Sequence, residues 1–178
     1  MGTGPGPWIP CGPPPTPRSL VIRPALPSDL DTIAALIREL AEYEHLAHEV
    51  VLDADVLREH LFGTRPYAEV LIAESDRGDA VGFALFFHNF STFLGRPGIH
   101  LEDLFVRPEA RGHGHGLALL RELGRIAGDR ECGRIEWNVL DWNEPSIAFY
   151  RSLGAQPMEE WLLYRLTGDA MAALADGA

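Results

Sequence analysis

GIHLEDLFVRPEARGHGHG, residues 98–116, is the stretch on which the fold turns. Gly98 to Val106 is apolar and strand-like, and LALLRELGRIA, beginning at Leu117, repeats its apolar residues at helical spacing. Between them lies a strand-to-helix join in which glycine alternates with histidine from Gly112 to Gly116. A helix start leaves several backbone N–H groups without partners and carries a partial positive charge. Glycines let that backbone approach a ligand closely, so the join can receive a phosphate or pyrophosphate.

Spacing separates this loop from other glycine-rich loops. A nucleoside-triphosphate loop ends in Gly-Lys-Ser/Thr, whereas Gly116 is followed by Leu117 and Ala118. A dinucleotide-binding turn places G-x-G-x-x-G directly after a strand, with an acid about 20 residues on. Glu136 stands at a suitable distance, but Leu117 occupies the third glycine position and five residues separate Val106 from Gly112. A plain reversal of the chain does not need three alternating glycines opening an amphipathic helix. His113 and His115 are spaced to share a metal ion, yet no third ligand is adjacent, and solvent-facing histidines are the simpler expectation.

The chain has 178 residues, 46% hydrophobic and 23% charged, as in ordinary soluble proteins with one sizeable core. Lys+Arg of 15 against Asp+Glu of 26 gives a net charge of −11, which repels nucleic acid and favours cationic small molecules. No run approaches a membrane span, and the first residues lack a secretory pattern. Cys11 and Cys132 suggest no disulfide framework, so a cytoplasmic location is expected. Residues 1–18 are rich in proline and glycine and are expected to form a disordered tail. A single domain over 19–168 and a C-terminal tail over 169–178 complete the expected organisation.

The domain reads as a strand at SLVIRPA, a helix from Ser28 to Tyr43 opened by a capping-box-like Ser28/Asp31 pair, and a helix from about Asp53 to Leu61 stopped by Gly63. AEVLIAES and AVGFALFFHN form a hairpin around DRGD. GIHLEDLFV, the glycine loop and a helix to Gly128 follow. RIEWNVL is a strand, EPSIAFYRSL a helix capped by Asn143 with Pro145 in its first turn, and WLLYRLT a final strand. Asp169 to Ala175 is a short helical end. This order implies an α/β (α+β mixed) fold, a mixed sheet with helices on both faces. Asn143, Ser146 and Tyr150 share one face of their helix. Strand alternation directs Glu102 and Asp103 to opposite faces.

From Leu20 to about Gly168 the chain resembles the GNAT-type N-acetyltransferases, in particular the branch acting on diamines, polyamines (spermidine/spermine) and thialysine. The resemblance rests on VIRPA, LIRELAEYE, VGFALFF, LEDLFVRPEARGHGHG and LDWNEPSIAFYRSLGA. It implies a GNAT-like, mostly antiparallel central sheet. It also implies acetyl transfer from acetyl-coenzyme A, as co-substrate, to a primary amine of a small cationic substrate, without a metal. By the same resemblance, Glu102 is the base and Tyr150 the acid. Leu104, Phe105 and Val106 offer backbone groups to the thioester and pantetheine. Arg111, Gly112, His113, Gly114, His115 and Gly116 hold the pyrophosphate, and Asn143 contacts the pantetheine region. Glu44, Asp103 and Trp161 contact the substrate, and a homodimer is expected. A non-catalytic acyl-coenzyme-A-binding module and a peptide or protein N-acetyltransferase are the alternatives on the same scaffold.

Overall fold

β4 (Arg96–Val106) is the spine of a five-stranded sheet in the order β1-β2-β3-β4-β5. The computed structural model describes residues 20–177, and the Pro/Gly-rich segment expected to be disordered lies outside them. β1 (Val21–Pro24), β2 (Glu69–Glu74), β3 (Ala80–Ser91) and β4 pair antiparallel in sequence, and β5 (Ile135–Trp137) adds in parallel to β4. The sheet is therefore mixed, as the element order implies, and mostly antiparallel, as the resemblance implies. The described residues group into two compact units, one ending at Asn138 and the other beginning at Val139.

In the first unit each sheet face has its own core. Ile33, Leu36 and Leu40 of α1 (Leu30–Tyr43) and Leu61 of α2 (Ala54–Phe62) pack on Val70, Ile72, Phe83 and Phe105. Leu119, Leu123, Ile126 and Ala127 of α3 (His115–Asp129) pack on Leu71, Ala73, Ala84, Phe86, Ile99 and Leu101. Successive residues of β2 and β3 alternate between these two cores, as a pleated strand buried on both faces requires.

Entry into α1 differs from the capping-box expectation at Ser28. The chain turns through a 3-10 segment, Pro27–Asp29, and Asp29 rather than Ser28 accepts the Leu26 N–H at 2.7 Å. Arg23 grips Asp29 at 2.7 and 3.0 Å and Glu74 at 2.6 Å, so the helix start is tied to β1 and β2 by a guanidinium fork. α2 follows its expected signals: Asp53 accepts from the N–H groups of Asp55 and Val56, and the helix stops at Gly63.

The second unit holds α4 (Glu144–Ser152) and α5 (Gly168–Ala175). Asn143 caps α4 by accepting the Ser146 N–H at 3.4 Å, with Pro145 in the first turn, as read from the sequence. Residues 161–167, expected as a final strand, carry no strand, and Trp161, Leu162, Leu163 and Tyr164 are exposed. Apolar composition predicts a strand there, but a strand also needs a partner for its backbone groups, and none of the described strands pairs with this segment. α5 matches the short helical end expected at Asp169 to Ala175 within the C-terminal tail.

Phe83 is fully buried and Val51 is 94% exposed. Phe83→Ala is expected to cost about 3–5 kcal/mol of unfolding free energy, and Val51→Ala less than about 0.5 kcal/mol. Urea titration of both variants checks the contrast.

Candidate active site

One extra residue in β4 shapes the site. Leu85 pairs with Asp103 and Phe86 with Leu101, so Glu102 is a bulge without a partner on β3. The bulge reverses the side-chain alternation. Ile99 and Leu101 face α3 before it, and Leu104 and Val106 pack against the same core after it. Phe105 faces α1, as does Leu85 opposite Asp103, which puts the Asp103 side chain on the α1 side.

His100 alternates with Ile99 and Leu101 and therefore also lies on the α1 side. Its Nε2 is 3.5 Å from Glu102 Oε2, which draws the Glu102 carboxylate to that side too. The two acids expected on opposite faces are thus brought together, because the bulge breaks the two-residue period on which that expectation rests.

Glu44 completes an acidic group. It is the C-cap of α1, where its N–H donates to Leu40 O at 2.9 Å. Burial pushes its carboxyl pKa upward. Asp103 is pushed up to about 7, first by burial and then by the charges of Glu102 and Glu44. No ion pair or hydrogen bond involving the Asp103 carboxylate is found among the described residues. Glu102 is different: its side chain is 54% exposed.

β5 pairs with β4 only from Ile99 to Leu101. Past the bulge, residues 102–106 have no strand partner on that edge among the described residues, although β3 stays paired as far as Val106. Leu104, Phe105 and Val106 thus lie where a ligand's amide groups can take up the unused edge. Val106 O also accepts from Arg111 Nε at 2.9 Å.

The glycine loop is anchored at its root. Arg107 makes a two-pronged ion pair with Glu39 of α1, at 2.7 and 2.8 Å, and donates to Ala80 O at 2.9 Å. Gly112 and Gly114 have φ of 76° and 90°, a backbone that glycine adopts without strain, and Gly114 is the N-cap of α3. The Arg111 N–H is bonded to Pro108 O at 3.2 Å. Among the described residues, the N–H groups of residues 112–117 donate to no protein acceptor. A methyl group at Gly116 would meet only Val106 Cγ2, at 4.0 Å, so nothing inside the protein demands glycine there.

Two loop side chains depart from expectation. His115 is 7% exposed rather than solvent-facing, because it forms the first turn of α3. Its Nδ1 is buried without a hydrogen-bond partner among the described residues, and burial lowers its pKa, holding the ring neutral. As an N–H, that nitrogen would add one donor to the free amides. The Arg111 guanidinium lies 4.5 Å from the Tyr43 ring centre and 5.8 Å from that of Phe105. This cation–π seat on Tyr43 is a contact that sequence reasoning missed, since no local pattern links residues 43 and 111. His113 stays exposed, with Nδ1 3.3 Å from Ala110 O. No cluster of His, Cys, Asp and Glu suited to a metal occurs among the described residues. Free amides, an orphaned ring nitrogen and open space at Gly116 together fit an anionic pyrophosphate.

In the second unit, Tyr150 lies on α4 with its ring 5.5 Å from that of Phe149. Asn143 spends its side-chain oxygen on the helix cap. Trp161 is 69% exposed in the strandless segment.

A raised carboxyl pKa means that the folded state holds the Asp103 proton more tightly than the unfolded chain does. The associated stabilisation is complete below pH 3.8 and is lost as pH rises through about 7. Asp103→Asn, which cannot ionise, is therefore expected to be more stable than the native chain at pH 8, by at most about 4 kcal/mol, and to lose that advantage by about pH 4. Urea unfolding at the two pH values checks the sign.

Residues 33–155 match the model of the acetyltransferase (GNAT) family. The chain is 39% identical to bovine (Bos taurus) thialysine N-epsilon-acetyltransferase over 166 residues, covering 88% of this chain and 97% of the relative. It is 34% identical to an L-ornithine N5-acetyltransferase of Arabidopsis thaliana, covering 86% of each. Among solved structures, an integron cassette protein from the mobile metagenome of V. cholerae superposes with a TM-score of 0.73 at 28% identity, over 88% of this chain and 98% of that one. With the bulged β4, the open strand edge and the loop of free amides already in place, these matches establish that the chain belongs to the GNAT family of acetyltransferases.

Proposed function

We propose that this acetyltransferase moves an acetyl group from acetyl-coenzyme A to a primary amine of a small cationic substrate, a diamine, polyamine or lysine-like amino acid. The observation that carries the reading is the grouping of Glu44, Glu102 and Asp103 on the α1 side of β4, with no cation bonded to Asp103 among the described residues. Relatives named for thialysine, ornithine and spermidine/spermine share that substrate chemistry. A fixed anionic cluster favours an ammonium over a neutral acceptor.

The amides of residues 112–117 and the His115 ring would hold the pyrophosphate, and the free edge of Leu104, Phe105 and Val106 would align the pantetheine and thioester. When bound, acetyl-coenzyme A supplies a carbonyl activated by its thioester. The chain supplies orientation and proton transfer. A primary amine with a pKa of ~10.4 is neutral about once in 2,500 molecules at pH 7, a cost of roughly 4–5 kcal/mol. A carboxylate acceptor is therefore needed, directly or through one water. By the resemblance, Tyr150 would donate a hydrogen bond to the departing sulfur. Full proton transfer from a phenol at ~10 to a thiolate of about 8.5 is uphill by about 2 kcal/mol, so the hydrogen bond itself is the useful interaction.

Retention of Glu102 and Tyr150 together favours catalysis over a mere acyl-coenzyme-A-binding module. Release of free thiol from acetyl-coenzyme A is expected with thialysine, ornithine or spermidine, and the absence of any amine-dependent release would end the enzyme reading. Tyr150→Phe should lower kcat by about 10²-fold or more while leaving the acetyl-coenzyme A Kd within about twofold. Gly116→Ala should fold normally yet raise that Kd by about tenfold. Gly124→Ala, equally open but eight residues along the same helix, should leave it unchanged and gain roughly 0.5–1 kcal/mol of stability. Calorimetric titration and thermal unfolding separate the two glycines.

A further inference from the structure

We propose that His100 is a positioning residue for Glu102, holding that carboxylate where it can take the proton from the substrate ammonium. The inference rests on the reading above, with Glu102 the proton acceptor that the resemblance implies.

A carboxylate at the bulge starts with little to hold it. Leu85 pairs with Asp103 and Phe86 with Leu101, so no residue of β3 stands opposite Glu102. β5 pairs with β4 no further than Leu101, so the other edge is open at Glu102 as well. Its side chain is 54% exposed. An acceptor that swings freely in solvent is seldom in reach of the ammonium, and a misplacement of about 1 Å can cost about 10²-fold in rate.

Among the described residues, His100 is the side chain whose ion-pair contact reaches the Glu102 carboxylate, with Nε2 3.5 Å from Oε2. His100 has the bracing that Glu102 lacks. Its ring lies against Phe87, with centres 5.0 Å apart and planes inclined at 31°, and Phe87 is also its partner in the β3 register. On the other edge His100 is in register with Glu136 of β5. The Glu136 carboxylate is engaged by the Asn89 amide and by Arg134 Nε at 2.9 Å, and no ion pair joins it to His100 among the described residues. A braced ring thus sits beside an unbraced carboxylate, with a nitrogen towards it.

Imidazole chemistry suits the role. A neutral ring carrying its proton on Nε2 donates to Glu102, and so does an imidazolium, so the contact does not depend on the charge of the ring. At 3.5 Å it is longer than a good hydrogen bond, as catalytic contacts often are before bound substrate tightens them. The imidazole exchanges no proton in this role. Glu102 gains the ammonium proton, directly or through one water, and returns it to the solvent around its exposed side chain. Glu44 and Asp103 keep the substrate contacts that the resemblance gives them.

The test separates the nitrogen of His100 from its ring. His100→Phe keeps an aromatic ring for Phe87 and removes the donor, whereas His100→Gln gives up the ring and retains an amide donor. In the full chain, kcat and the amine KM are measured with the best of thialysine, ornithine and spermidine, alongside the acetyl-coenzyme A Kd and thermal unfolding. His100→Phe is expected to lose about tenfold or more in kcat, with KM within about threefold and Kd within about twofold of native. His100→Gln should turn over at least about threefold faster than His100→Phe, as a retained hydrogen bond to a carboxylate allows. A residue that only props the sheet gives the reverse order, with Phe tolerated and Gln damaging. In a Glu102→Gln background, His100→Phe should change kcat by less than about twofold, because the carboxylate it positions is gone.

A loss smaller than tenfold in His100→Phe overturns the assignment. So does a slower His100→Gln, or a loss that persists in full in the Glu102→Gln background. A Glu102→Gln variant with native kcat removes the acceptor, and the proposal falls with it. Should His100→Phe fail to fold, His100→Leu takes its place under the same criteria. Should both fail, a kcat in His100→Gln more than tenfold below native overturns the proposal. Absence of amine-dependent thiol release from the native chain overturns the parent reading, an outcome distinct from a native enzyme that turns over without needing His100.

Discussion

The bulge at Glu102 is the constraint around which the rest of the first unit is arranged. A regular strand from Arg96 to Val106 would carry Ile99, Leu101, Asp103 and Phe105 on one face. The extra residue lets Leu104 and Val106 follow Leu101 into the α3 core while Asp103 and Phe105 turn towards α1. The same place is where β5 stops following β4, although β3 remains paired. One inserted residue thus keeps both cores closed, turns two acids to one side and leaves a stretch of backbone unpaired. An unpaired edge has to be capped, covered or used. Here it lies between an acidic group and a phosphate-receptive loop, where use is the economical explanation.

Electrostatics sharpens that account. Burial raises the proton affinity of Asp103 and of Glu44, so ionising either in the free protein works against folding. Structural carboxylates elsewhere in the chain behave the other way. Asp29 is held low by the Arg23 guanidinium hydrogen-bonded to it, and Glu69 by that of Arg130. A protein that supplies arginines to its structural acids, and withholds one from Asp103, leaves that position to be neutralised by a proton or by a cation from outside. Sites that work against stability in this way are where substrate binding recovers the loss.

What the sequence shows and what it hides follow from the range of the interactions. Caps at Asp53 and Asn143, the Ser75–Asp79 turn and the glycine-led start of α3 are decided by residues within four or five positions, and they are readable. The bulge was legible in principle, because apolar residues fall at 101 and then 104 rather than 103, but Phe105 masks the break in period. The Arg111 seat on Tyr43 and the Arg107–Glu39 clamp join residues 68 positions apart, so no local pattern reports them. His115, expected to face solvent, is instead buried in the first turn of α3, against neighbours that the local sequence does not report. WLLYRLT has the composition of a strand, but composition cannot state which edge, if any, will receive its backbone.

Helix polarity supplies the last constraint. The positive end of α3 opens beside the free amides of residues 112–117, which suits a diphosphate. The negative end of α1 closes at Glu44, where an additional carboxylate is poorly placed for helix stability but well placed to attract an ammonium. Exchanging these ends would set a diphosphate against three carboxylates and an ammonium against a row of N–H donors. The rigid link between them is β4 with Arg107 at its end, fastened to α1 through Glu39 and to β3 through Ala80 O. On the proposed reading, this clamp sets the spacing between the anion-receiving and cation-receiving ends, so that a single strand would present the thioester and the amine to one another.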